Sequence, residues 1–157
     1  MTAEAPVSFA SDVAYAELWR RVAAAIVDFV VLAVLSFVLG VVAGLLAFGL
    51  FGDAALDGLE RFLSGPARTP LALVVFWLYF APLESSRLQA SLGKRLLGLR
   101  VTDLDERRLS FLRATGRFLG KLLSVATLLI GFLLAAFTAR RQALHDLVAG
   151  CLVLRRE

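Results

Sequence analysis

The stretch Val22–Phe51, VAAAIVDFVVLAVLSFVLGVVAGLLAFGLF, decides the fold. It is 30 residues long and carries one charge, Asp28. About 20 apolar residues cross a hydrocarbon core of about 30 Å, so this run spans a bilayer with tilt or with one end at the interface. Two further apolar runs follow, Thr69–Leu83 with 15 uncharged residues and Leu122–Ala139 with 18. The whole chain is 59% hydrophobic and 19% charged. A soluble domain would hold about 25% charge, which excludes an ordinary soluble enzyme.

The bases border these runs. Arg20 and Arg21 open the first, and Arg87–Lys121 holds nine Lys/Arg against three acids. Anionic lipid head groups are therefore the expected counter-charge for the net +4, rather than nucleic acid. The excess of bases places Arg87–Lys121 in the cytoplasm, Gly52–Arg68 outside and the N-terminus inside. Three crossings would leave the tail outside. Arg140, Arg141, Arg155 and Arg156 argue for inside, which a fold-back at Gly131 would allow. Met1–Leu18 has no basic leader, so the first run is expected to stay as an anchor.

Local signals subdivide the chain. A flexible N-terminus is expected over 1–13 and a membrane domain over 14–156. Helices are expected at about 13–51, 69–86 and 111–138, with a short C-terminal segment over 143–154. Ser11 is read as a cap for the first helix. Gly52–Arg68 reads as a loop with a Ser64-Gly65-Pro66 turn. Ser91 caps a short helix, Leu92–Leu97, closed by Gly98. Leu99–Asp103 and Arg107–Ser110 are expected to pair as a small hairpin. Ser110 caps a helix whose Arg113, Arg117 and Lys121, four apart, form one basic stripe suited to the membrane surface. Gly40 and Gly44 form a GxxxG pair that allows close helix packing. The fold class is an all-α integral membrane protein with about three transmembrane segments, a cytoplasmic amphipathic helix and a small β-hairpin.

Asp28 lies about 10 Å beyond Arg21 along the first helix, at 1.5 Å per residue. A charge at that depth costs at least about 2.5–3.5 kcal/mol and needs a partner. Lys94, Arg113 and Arg117 are the candidates. The reading is either an ion or proton site or a structural ion pair. Glu17 and Arg21 stand at i, i+4 and can pair. Glu84 either ends the second helix among head groups or joins the Asp28 network. His145-Asp146 either pairs with the basic stripe or lines a polar path. One histidine and one cysteine, Cys151, do not make a zinc site. Gly93-Lys94 is not a phosphate loop, because Leu88 and Arg95 break the pattern. No nucleophile elbow or cofactor motif is readable, so neither enzyme activity nor a cofactor is expected.

Together these residues resemble the RDD family of bacterial membrane proteins. The motifs occur in order: Trp19-Arg20-Arg21, Asp28, Glu84-Ser85-Ser86, Gln89, the run Ser91–Val101, Arg113-Ala114, Arg117, Gly131-Phe132, Ala143-Leu144-His145-Asp146, and Ala149-Gly150. The family's named arginine and two aspartates fall on Arg21, Asp28 and Asp146. The chain departs from the family at Glu17, at Ser91 for threonine, at Cys151 for threonine, and at Asp105-Glu106-Arg107, where a turn glycine is usual. The resemblance implies a multi-pass protein of the bacterial inner membrane, with a transport role such as cation/proton exchange. Arg21, Asp28, Asp146, Glu84, Lys94, Arg117 and His145 would form its polar network, with Asp28 as the exchangeable carboxylate. A non-transporting accessory protein that binds a partner through its basic cytoplasmic face is the alternative. Partners would be anionic lipids and either a second copy or another membrane protein.

Overall fold

The structure, a computed structural model, describes residues 14–127 and 130–156. Within them, seven helices and two strands follow in the order α1 (Leu18–Phe51), α2 (Asp53–Ser64), α3 (Arg68–Ser85), α4 (Leu92–Leu96), β1 (Leu99–Asp103), α5 (Phe111–Ala126), α6 (Ile130–Phe137), α7 (Leu144–Ala149) and β2 (Cys151–Arg155). At 34 residues, α1 is about 51 Å long, more than a bilayer core requires. By length and composition it alone can cross a membrane unaided; α2–α3 and α5–α6 qualify only if each bent pair counts as one span.

Burial is divided unequally along α1. Its buried residues are Ala24, Asp28 and Leu32, one stripe at a spacing of four. Beyond Leu32 no residue of the helix is buried, and Phe37, Leu45, Leu50 and Phe51 are all more than 60% exposed. The core sits at the other end. It joins Ala16 and Ala24 to Ala81, Ala114, Leu99 and Val101 of β1, and Cys151 and Val153 of β2.

The two strands pair antiparallel, with Val101 opposite Val153. The N-terminal segment joins them through Ala16 N–H to Val153 O (2.9 Å) and Arg155 N–H to Ala14 O (2.8 Å). Residues 14–16, 99–103 and 151–155 therefore share one side of any membrane the chain crosses. That excludes a tail on the opposite side from the basic middle segment. Charge alone left the choice open, and backbone pairing between distant strands closes it.

Several local expectations are corrected. The first helix begins at Leu18 rather than 13, because Tyr15 is held in a bridge to Leu154; Ser11 lies outside the described residues. Gly52–Arg68 is mostly helix α2, with Asp53 in its first turn and Arg61 in its last, matching the helix dipole. The 111–138 helix is two helices, and the break comes before Gly131. The hairpin partner of β1 is β2; Arg107–Ser110 contributes one bridge, Thr102 to Arg108. Asp103 tightens that turn by accepting from the N–H groups of Asp105 and Arg107 (3.0 and 2.8 Å). Glu106 takes φ +61°, a left-handed position that favours glycine.

The stripe on α5 is also turned around. Ser110 caps this helix by accepting from Arg113 N–H (3.3 Å). Arg117 is buried, while Leu112, Leu119 and Phe111 are exposed. The helix thus buries Arg117 and Ser124 together with Ala114 and Phe118, while Arg113 of the same stripe stays exposed. A side-chain carbon added at Gly40 or Gly44 would meet nothing within 4 Å among the described residues, so neither glycine packs against a neighbouring helix of this chain there.

Candidate functional site

Two buried carboxyl sites lie at the packed end. The first centres on Glu84, the penultimate residue of α3, which is 1% exposed. Three cations converge on it. Lys94 Nζ stands 2.5 Å and Lys121 Nζ 3.1 Å from the same oxygen, and Arg117 Nη1 stands 2.7 Å from the other. Lys121 also lies over the Phe80 ring at 4.1 Å. Arg117 continues to Asp146, donating from Nε at 2.9 Å and pairing through Nη2, 2.8 Å from the same oxygen. Asp146 accepts from Arg21 Nη1 at 2.5 Å and from its own helix start, the Ala143 N–H, at 3.1 Å. Arg21 is fixed further by donating to the carbonyls of Arg141 (2.6 Å) and Ala16 (3.3 Å).

A guanidinium suits the Arg117 position because its planar fork serves two carboxylates at once. The cluster as a whole holds four cations, Arg21, Lys94, Arg117 and Lys121, against two carboxylates, Glu84 and Asp146. Burial and the nearby Arg117 pull the Lys94 ammonium down to about 7, against the opposing pull of Glu84. Burial by itself would raise the Asp146 carboxyl, but Arg117 and Arg21 outweigh it and hold the group below the ordinary carboxylate range. Burial holds His145 down at about 3 despite Asp146, so its 3.4 Å approach to Asp146 is made as a neutral imidazole. Its ring packs on Phe132 at 5.1 Å. Cys151 is buried behind Asp146 and its thiol is pushed up to about 12, so it is no nucleophile.

The second site is Asp28, 2% exposed. One oxygen accepts from Tyr79 O–H (2.8 Å) and Gly93 N–H (2.7 Å), and the other from Ser91 O–H (2.5 Å). Among the described residues it has no ion-pair partner. This corrects the expected pairing. Lys94 points to Glu84, Arg117 bridges Glu84 and Asp146, and Arg113 reaches Asp103 at 3.7 Å. Asp28 is thus a neighbour of the network through α4 rather than a member of it. Glu17 likewise meets Arg20 (3.8 Å) and Arg141 (4.0 Å), not Arg21. Glu84 is inside the protein rather than among head groups.

Arg21, Asp146, Glu84, Lys94, Arg117 and His145 are brought together. Lys121 was legible as part of the basic stripe but not as a ligand of Glu84. Tyr79 had no signal beyond a hydroxyl in an apolar run, and Gly93 stood in the Ser91–Val101 motif with nothing to mark its backbone N–H as a donor to Asp28.

The model of the RDD family matches residues 15–150. The chain is 35% identical over 78 residues to the uncharacterized protein YxaI of Bacillus subtilis (strain 168), a match covering 50% of this chain and 51% of that protein. The match thus spans about half the length of that relative. No solved structure matches. The motifs from Trp19 to Gly150, held in one packed end of the molecule, lie within the matched span, and the chain belongs to the RDD family.

Proposed function

We propose that this protein is a multi-pass component of the bacterial inner membrane, with residues 14–16, the basic middle segment and the tail in the cytoplasm, and that it exchanges a cation for a proton. One observation carries this reading. The Glu84–Asp146 cluster buries more cations than carboxylates, and its least firmly charged member, Lys94, is held near 7. Loss of the Lys94 proton lowers the local charge by one. Arrival of a monovalent cation beside Glu84 restores it. Exchange of one for the other keeps the buried charge constant, and buried charge is what a low-dielectric site resists changing. Lys94 takes here the role that the sequence alone gave to Asp28.

The protein is not an enzyme on this reading, and it needs no cofactor. Anionic lipids neutralise its cytoplasmic bases. The unpacked far half of α1, including Gly40 and Gly44, is covered by lipid and by a second copy or another membrane protein. That bare surface also favours a second reading, an accessory protein whose only work is to hold a partner.

Proteoliposomes with an imposed pH gradient separate the two readings. Purified protein should move protons in response to Na⁺, K⁺ or Li⁺, and Lys94→Met should abolish the response while staying monodisperse. Wild-type protein inert toward every cation, but recovered with a stoichiometric membrane partner, would establish the accessory reading.

A further inference from the structure

The short helix α4 lies between the two carboxyl sites. A helix start leaves N–H groups without intrahelical partners. The residue before this helix, Ser91, is the usual type to cap it, yet its side chain makes no cap bond. Its hydroxyl instead donates to Asp28. The orphan donors are taken by other elements. Leu92 N–H donates to the Tyr79 hydroxyl of α3 (3.3 Å), and Gly93 N–H donates to Asp28 of α1 (2.7 Å). Tyr79 in turn donates to Asp28, which closes the arrangement.

Position 93 shows how close the docking is. A side-chain carbon there would collide with the Ala24 carbonyl and stand 2.9 Å from the Asp28 carboxyl carbon. Only glycine lets α4 sit on the α1 backbone. The next residue is Lys94, whose ammonium reaches Glu84 at 2.5 Å.

We propose that Asp28 is a positioning residue: it supplies from α1 the cap that α4 lacks, and so sets Lys94 on Glu84. The inference rests on the Lys94 reading for its consequence in exchange but not for its geometry. The groups facing Lys94 are Glu84 from α3 and Arg117 and Lys121 from α5; Asp28 acts on it only through the Ser91 hydroxyl and the Gly93 backbone N–H. In asparagine the amide oxygen can still accept from Tyr79 O–H and Gly93 N–H, and the Ser91 hydroxyl can turn to accept from the amide nitrogen, so asparagine should preserve the dock and alanine should destroy it.

The test is peptide-resolved amide hydrogen exchange on the full chain in nanodiscs, with the cation-response assay alongside. Asp28→Ala should speed exchange over residues 92–98 by about tenfold, the loss of roughly one net hydrogen bond. Exchange in α5 and β1 should stay unchanged. Gly93→Ala should do the same with Asp28 intact, and Asp28→Asn should stay near wild type in exchange and in cation response. The chain has two lysines, Lys94 and Lys121, so acetylation read by mass spectrometry reports position directly. Asp28→Ala should raise labelling of Lys94 relative to Lys121. The proposal is overturned if Asp28→Ala leaves residues 92–98 protected, or if it loosens all helices alike. It is equally overturned if Asp28→Asn keeps α4 protected yet loses the cation response, since Asp28 would then be the exchanging carboxyl itself. A wild-type protein with no cation response but the expected protection pattern would remove the transport reading and leave the dock standing.

Discussion

Asp28 and Glu84 are both carboxyl groups buried at the packed end of one chain, yet their surroundings share almost nothing. Asp28 is met by a phenol, a serine hydroxyl and a backbone N–H. Glu84 is met by two ammonium groups and a guanidinium. Neutral donors orient a carboxyl and satisfy its oxygens without adding charge, which fits a structural clamp. Converging cations leave more positive than negative charge around the group they meet. The acid shared with the family's name is therefore not, by that fact, the group placed for charge chemistry. Only a few ångströms of backbone, Ser91 to Lys94, separate the two.

The contrast is most severely tested at Arg117. Arg117→Met leaves Glu84 with only its lysines and strips Asp146 of its best partner. Breaking a buried pair from one side costs about 3–5 kcal/mol. The variant should fail to give monodisperse protein in detergent, and a variant that purifies with wild-type melting behaviour would show the cluster to be dispensable for folding. The effect of Lys94→Met should be smaller than that, because the carboxylate it leaves behind is not uncompensated. Glu84 keeps Arg117 and Lys121, and an ammonium that burial already disfavours is removed. The same variant carries a pH signature. In the wild type the unfolded chain binds the lysine proton up to about 10.4, while the folded chain releases it near 7. Unfolded protein thus holds more protons between those values, and stability should rise with pH across that window. Lys94→Met should flatten the rise, as read by thermal unfolding in detergent at pH 7 and pH 9.5. The acid side carries two contributions, from Asp146 and from His145. Asp146 is held below the ordinary carboxylate range, so its contribution is complete above the unfolded pKa of about 3.9 and is lost as pH falls below it. Melting temperature should fall from pH 7 to pH 5, as the unfolded chain takes up a His145 proton that the folded protein refuses down to about 3, and should drop further towards pH 3 as the Asp146 contribution is lost. A melting temperature that stays level down to pH 3 would mean that the Arg21–Asp146–Arg117 chain adds nothing to the fold.

Much of this was legible in the residues. The long apolar run gave α1, Ser91 and Ser110 gave the starts of α4 and α5, and Gly98 marked the end of α4 at φ +65°. The depth of Asp28 implied a buried partner, and it has three. Their chemical type was hidden, because hydroxyls and backbone N–H groups carry no charge pattern to search for. Gly52–Arg68 read as a loop because its charges and turn residues outweigh its spacing. Leu56, Leu59 and Leu63 recur at helical intervals there and stay exposed. The basic stripe on α5 was found, but its direction was not. Spacing puts Arg113, Arg117 and Lys121 on one face, and nothing in spacing tells whether that face meets head groups or carboxylates.

From residues alone came the membrane as solvent, the family's arginine and aspartates, and the need for each buried charge to find company, because hydrophobic length and the cost of burying charge are local properties. Tertiary structure decided the rest. Strand pairing between Leu99–Asp103 and Cys151–Arg155 put the tail beside the basic segment, and the docking of α4 on α1 sent Lys94 to Glu84 instead of Asp28. Both depend on which distant segments meet, and contacts between residues so far apart in the chain leave no periodicity behind them.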